Sequence, residues 1–295
     1  MPKHTVFTGA CTAIVTPFRN GNVDYEAFGR LLDFQTEGGI DAILVCGTTG
    51  ESATLTEDEC RRVISFAVER VGGKVPVIAG TGSNDTARAV EKTRFAKAAG
   101  ADAVLLVTPY YNKANPGGLL RHFETIADCA DIPNILYSVP SRTGMQIPLP
   151  VYRRLCTHPN IVAVKEASGD LSFVIMVMEA CGDELTVYSG NDDQTVALMA
   201  MGAKGVISVL SNLMPKTVHT LCDLCRNGNY DAASKLLLEH LPLIGSLFLQ
   251  VNPVPVKTAL ARMGLCASEL RLPLAEPEKE EADALTETMK RFHLL

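Results

Sequence analysis

VPVIAGTGSNDTARAVEKTRFAKAAGADAVLLV, residues 75–107, contains one whole unit of the fold. Its ends, Val75–Ala79 and Ala103–Val107, are continuously apolar rather than alternating, as in parallel strands covered on both faces. Between them Asn84–Ala99 has the spacing of an amphipathic helix, and Gly100 stands where such a helix stops before the next strand.

The same unit recurs on both sides. Further apolar runs are Ala13–Val15, Ala42–Cys46, Ile135–Tyr137, Ile161–Val164, Thr186–Tyr188 and Val206–Ser208. Helical patterns lie over Asp24–Glu37, Thr56–Arg70, Gly117–Cys129, Leu171–Cys181 and Asp192–Met201, with Thr56-Glu-Asp-Glu as a capping box and Gly72-Gly73 as a stop. Eight strands spaced mostly about 25 to 30 residues apart predict an α/β fold, a closed (β/α)8 TIM barrel. The eighth ends near Ser208, so residues 1–212 are assigned to the barrel and 213–295 to a C-terminal helical extension. Helices are expected there over Leu213–Arg226, Asp231–Leu249, Val254–Met263 and Glu278–Phe292, packed beside the barrel without a glycine- or serine-rich linker.

Composition narrows the class. The chain has 295 residues, 47% hydrophobic and 20% charged, which excludes disorder. A net charge of −6, spread evenly without a basic cluster, argues against nucleic acid. The N-terminal Met1-Pro-Lys-His-Thr-Val-Phe-Thr lacks a signal peptide's apolar stretch, and no run approaches the roughly 20 apolar residues of a membrane span. Nine cysteines, an odd and scattered set, predict reduced thiols and a cytoplasmic protein. Cys222 and Cys225 share one helical face with no second pair to complete a zinc site, so core packing is expected and no metal.

In such barrels the chemistry gathers at the C-terminal ends of the strands. There the chain places Gly47-Thr-Thr-Gly-Glu-Ser52, Thr108-Pro-Tyr-Tyr-Asn112, Tyr137-Ser-Val-Pro-Ser-Arg-Thr-Gly144, Lys165-Glu-Ala-Ser-Gly169 and Ser189-Gly-Asn191. Lys165 should emerge inside the barrel mouth, where desolvation favours the neutral amine that attacks carbonyls; the alternative is a strand-end lysine paired with a carboxylate. Tyr137, one strand earlier at similar depth, is either an acid–base group or a core tyrosine with a satisfied hydroxyl. Arg142 offers a fork for a substrate carboxylate, or is a solvated loop arginine. Thr48 and Thr49 lie in a glycine-bounded turn whose N–H groups suit a carboxylate or phosphate, though without the ending of a nucleotide P-loop. Gly80-Thr-Gly-Ser-Asn84 fails the dinucleotide spacing and reads as an ordinary loop.

These residues resemble the dihydrodipicolinate synthase family of pyruvate-dependent class I aldolases, a group that includes N-acetylneuraminate lyase. The match runs from Thr12-Ala-Ile-Val-Thr-Pro-Phe18 to about Leu213, with Gly47–Ser52, Tyr110-Tyr-Asn112, Tyr137–Gly144, Lys165–Gly169 and Gly205-Val-Ile-Ser208 in order at the family's spacing. The resemblance implies condensation of pyruvate with L-aspartate 4-semialdehyde through a Schiff base on Lys165, without a cofactor. Tyr137 would be the acid–base residue, in a proton relay with Thr48 and with Tyr111 reaching a neighbouring subunit's site. Thr48 and Thr49 would hold the pyruvate carboxylate, Gly190 and Ile207 would line the pocket through their backbones, and Arg142 would take the semialdehyde carboxylate. A homotetramer or homodimer is implied. The rival is another pyruvate aldolase, acting on a keto sugar acid or on N-acetylneuraminate, which usually has another residue in place of Arg142.

Two departures stand out. Ser138 replaces the asparagine that commonly follows the tyrosine, which bears on the loop carrying Arg142. Where lysine-inhibited members bind free lysine, Ser52, Ala53 and Tyr110 match, but Arg88 takes the place of the glutamate and Glu57 and Cys60 those of the histidines. An arginine set against the ligand's ammonium predicts weak or absent inhibition by lysine.

Overall fold

The computed structural model describes residue 3 and residues 5–295; Met1, Pro2 and His4, part of the N-terminal stretch read for a signal peptide, lie outside the described residues. Among the described residues eight parallel strands close a barrel: β1 Gly9–Ala13, β2 Ala42–Val45, β3 Val77–Gly80, β4 Ala103–Val107, β5 Asn134–Ser138, β6 Ile161–Glu166, β7 Thr186–Ser189 and β8 Gly205–Ser208. Each pairs with the next in sequence, and β8 returns to β1 with Gly9 opposite Gly205 and Cys11 opposite Ile207. That seam needs its glycine. Gly205 has φ +153°, and a Cβ there would fall on the Gly9 backbone.

The eight strands and closure agree with the sequence, with one shift. The first strand is Gly9–Ala13, not Ala13–Val15, because Ile14 and Val15 are apolar for burial in the loop above the strand. Helices follow at α1 Tyr25–Glu37, α2 Glu57–Val71, α3 Thr86–Ala98, α4 Pro116–Asp128, α5 Leu149–Leu155, α6 Leu171–Cys181 and α7 Thr195–Ala200. The Thr56/Glu59 capping box forms, and Gly72 caps the far end of α2 in the left-handed conformation. Helix α5 was not anticipated: seven residues are too few for a helical period to show. The Asp192–Met201 segment divides into a 3-10 turn, Asp192–Gln194, and the short α7, because Asp192 bends inward to bond the backbone of Val209 and Leu210. The tail supplies α8 Pro215–Arg226, α9 Tyr230–Ser246, α10 Val254–Arg262 and α11 Lys279–Arg291, close to the expected spans.

Two apolar cores result. The outer one lies between strands and helices; the inner one fills the barrel with residues such as Leu44, Ile78, Leu105, Ile135 and Ile207. Phe7 and Tyr188 stack at 4.1 Å with their rings nearly parallel, and the Tyr188 hydroxyl donates to the Phe7 carbonyl at 2.7 Å. This plug belongs to the inner core. Cys222 and Cys225 are buried on α8, and among the described residues all nine cysteines are free. No helix is long and apolar enough to cross a membrane among the described residues.

Candidate active site

Lys165 and Tyr137 are directly opposed in the register between β5 and β6. Their shared inward aim depends on an irregularity: Asn134 pairs with Ile161, yet Ile135 pairs with Ala163, so β6 carries an extra residue. Ile161 and Val164 pack in the outer core, whereas Val162 and Ala163 both pack in the inner one. Strict alternation from Val162 would turn residue 165 outward. The bulge resets the parity and brings Lys165 into the mouth.

There the two side chains help to line a pocket of about 210 Å³. Lys165 is 6% exposed and its Nζ lies 4.5 Å from the centre of the Tyr137 ring. No carboxylate pairs with it among the described residues, so the ion-paired reading of this lysine fails. Tyr137 is equally buried, and its hydroxyl has no hydrogen-bond partner among the described residues; it is not a satisfied core tyrosine.

Thr48 and Thr49 line the opposite wall from a tight turn. Glu51 N–H donates to the Thr48 carbonyl at 3.0 Å, Ser52 N–H to the Gly47 carbonyl at 3.3 Å, and the Thr16 hydroxyl to the Gly50 carbonyl at 2.7 Å. Thr49 Oγ1 accepts from Asn252 Nδ2 at 2.9 Å. Arg142 sits in a single helical turn, Pro140–Thr143, which β5 feeds directly. It is exposed but anchored, since its Nη2 donates to the Asn252 carbonyl at 3.1 Å. Gly190 belongs to the wall as well. Its N–H donates to the Glu166 carbonyl at 2.7 Å, and a Cβ would come within 2.6 Å of Ala167 Cβ.

Two assigned residues differ in placement from the rest. The Ile207 side chain is fully buried in the inner core, and Val209, two residues further along the chain, lines the pocket. Tyr111, 93% exposed at φ +70°, lies outside the pocket of its own chain. No hydrogen bond joins the hydroxyls of Thr48 and Tyr137, although both face the pocket.

The sequence reading missed Phe248 and Asn252, tail residues that complete the wall. Asn252-Pro-Val-Pro255 is a strong chain-turning signal and marked the spot, but nothing in it shows that the turn faces the barrel mouth. Behind the wall Glu166 is buried facing outward, and burial pushes its carboxyl up to about 7. Ser138, its register partner, is buried with no hydrogen-bond partner for its hydroxyl. Burial also raises Asp192, whose Oδ2 accepts from Val209 and Leu210 N–H at 2.9 and 3.1 Å, while the Lys165 charge opposes that rise.

An unpaired buried lysine beside a tyrosine, at the open end of a closed parallel barrel, defines a Schiff-base barrel enzyme of the class I aldolase type. The chain matches the model of the dihydrodipicolinate synthetase family over residues 6–292 and belongs to that family. It is 51% identical over 290 residues to the 4-hydroxy-tetrahydrodipicolinate synthase of Pelobacter propionicus, covering 98% of this chain and 100% of that one. The enzyme of the same name from Geobacter sulfurreducens is similar to the same extent. Among solved structures, dihydrodipicolinate synthase from Aquifex aeolicus superposes with a TM-score of 0.96 at 45% identity, covering 98% of this chain and 99% of that one. The Thermotoga maritima synthase does so at 0.97 and 40%, covering 99% and 100%.

Proposed function

We infer that this chain is a lyase that condenses pyruvate with L-aspartate 4-semialdehyde to give 4-hydroxy-tetrahydrodipicolinate, serving the biosynthesis of diaminopimelate and lysine. The observation that carries the reading is Lys165, buried and without an ion-pair partner, in register with Tyr137 and sharing the pocket with the Thr48–Thr49 turn and Arg142. Its amine attacks the pyruvate carbonyl carbon, and water leaves to form the imine. Loss of a methyl proton then gives the enamine, whose carbon attacks the aldehyde. The protonated imine is the electron sink, so the chemistry calls for no cofactor. Tyr137 moves the protons at each stage. Because the product ring contains the semialdehyde's nitrogen, that amine displaces Lys165 at the end.

Thr48 and Thr49 take the pyruvate carboxylate, and Gly190 sets the pocket's width. Arg142 takes the carboxylate of the semialdehyde, which favours this substrate over a sugar acid. Tyr111 is assigned to the site of a neighbouring subunit, where its exposure in the single chain is accounted for. Exposed Tyr110 and Tyr111 on one side, and Leu171, Ile175 and Met176 of α6 on another, support a homodimer that pairs into a homotetramer. Free cysteines throughout support a cytoplasmic setting. Purified protein given both substrates and a coupled reductase should oxidise the reductase's nicotinamide. Turnover with pyruvate and a sugar aldehyde, but none with the semialdehyde, would reassign it to the rival aldolases.

A further inference from the structure

The Thr48–Thr49 turn is gripped from outside the barrel. Glu51 in that turn has φ +52°, uncommon for a residue with a side chain and sustained only where the surroundings hold it. Its carboxylate points toward the C-terminal tail: Oε1 accepts from Lys257 Nζ at 2.7 Å and Oε2 from Arg271 N–H at 3.1 Å. Lys257 also donates to the Glu269 carbonyl at 2.7 Å and lies 4.1 Å from the centre of the Phe18 ring. The side chains of Lys257 and Glu51 are 0% and 1% exposed. On the same tail segment, just before α10, Asn252 bonds Thr49. One stretch of tail therefore grips the turn at Thr49 and again at Glu51.

A fully buried ion pair is a poor way to stabilise a fold, because desolvation offsets most of the attraction and an apolar pair of similar volume does as well. What the pair supplies is direction, since two charges with fixed donors define the height and rotation of the turn. We propose that Lys257 is a positioning residue for pyruvate: through Glu51 it fixes the Thr48–Thr49 turn, so that the C-terminal tail is part of the substrate site. The proposal rests on the assignment of the pyruvate carboxylate to that turn.

The test compares wild type with Lys257→Met, Glu51→Gln and the apolar double variant Glu51→Leu/Lys257→Met. Each is measured for Tm, for KM toward both substrates and for borohydride labelling with pyruvate. The single variants should lose Tm, because each leaves a buried group unpaired. The double variant should return to within about 4 °C of wild type. Its KM for pyruvate should nevertheless stay about 10–100-fold high, the effect of a carboxylate site displaced by a fraction of an ångström, while KM for the semialdehyde moves less than about twofold. Wild-type pyruvate KM in a folded double variant overturns the positioning role while wild-type labelling at Lys165 leaves the pyruvate reading standing. A double variant that does not fold assigns the pair to the fold and also overturns it. Absence of wild-type labelling overturns the pyruvate reading and this proposal with it.

Discussion

Lys165 and Lys257 are both buried, and their partners separate their roles. Lys257 is held by Glu51 and the Glu269 carbonyl, whereas Lys165 has no carboxylate in an ion pair with it among the described residues and faces a pocket beside the Tyr137 ring. On the proposed reading, nucleophilic chemistry falls to the second. Tyr137→Phe removes only a hydroxyl that has no structural partner, so the fold should persist while kcat falls by about 10²–10⁴-fold. Wild-type turnover in that variant would mean another group carries the protons. Arg142→Ala should raise KM for the semialdehyde far more than KM for pyruvate, since the guanidinium stands in the loop above the barrel; the opposite pattern would exchange the two carboxylate subsites. Glu166 gives a stability prediction. Its carboxyl is raised by burial to about 7 from an ordinary 4.5, so between those values the folded chain holds a proton that the unfolded chain has lost. Its contribution is full below the unfolded pKa and is lost as pH rises through the folded one, at about 1.4 kcal/mol per pH unit in that window. Glu166→Gln should flatten this slope in denaturation from pH 5 to pH 8. An unchanged slope would show that Glu166 ionises in the folded protein as readily as in the unfolded one.

At the scale of elements, the bulge in β6 shows where sequence reading stops. The apolar run Ile161–Val164 announces a strand and locates Lys165 at its end, but the residue that breaks alternation has no signature of its own. Register is a property of the pair of strands. The tail helices were legible because their periods are long; their reach into the pocket at Phe248 and Asn252 was not, because packing between distant segments leaves no local pattern. Side-chain chemistry also bears on the surface where lysine-inhibited members of the family would bind free lysine. Here Arg88 at the start of α3 is exposed and 3.8 Å from Asp85, and Glu57 and Cys60 share a small hollow with Arg61, Glu91 and Lys92. A cation at Arg88 repels an incoming ammonium, so lysine titrated against both substrates should inhibit weakly or not at all. Micromolar inhibition would mean that Glu57 has taken over the ammonium.

At the scale of the whole molecule, barrel and tail together line the pocket, and the catalytic unit extends beyond one chain if Tyr111 completes a neighbour's relay. Tyr111→Phe should then lower kcat without unfolding its own chain, in which the side chain is 93% exposed. Sedimentation should find dimers or tetramers; a fully active monomer would remove Tyr111 from the relay. The central claim, that Lys165 carries pyruvate as an imine, is tested most directly by adding borohydride to the protein with pyruvate and mapping the adduct by mass spectrometry of a peptic digest. The account predicts a stable adduct on the peptide containing Lys165 and none in Lys165→Arg; labelling at any other lysine, or no labelling at all, would contradict it.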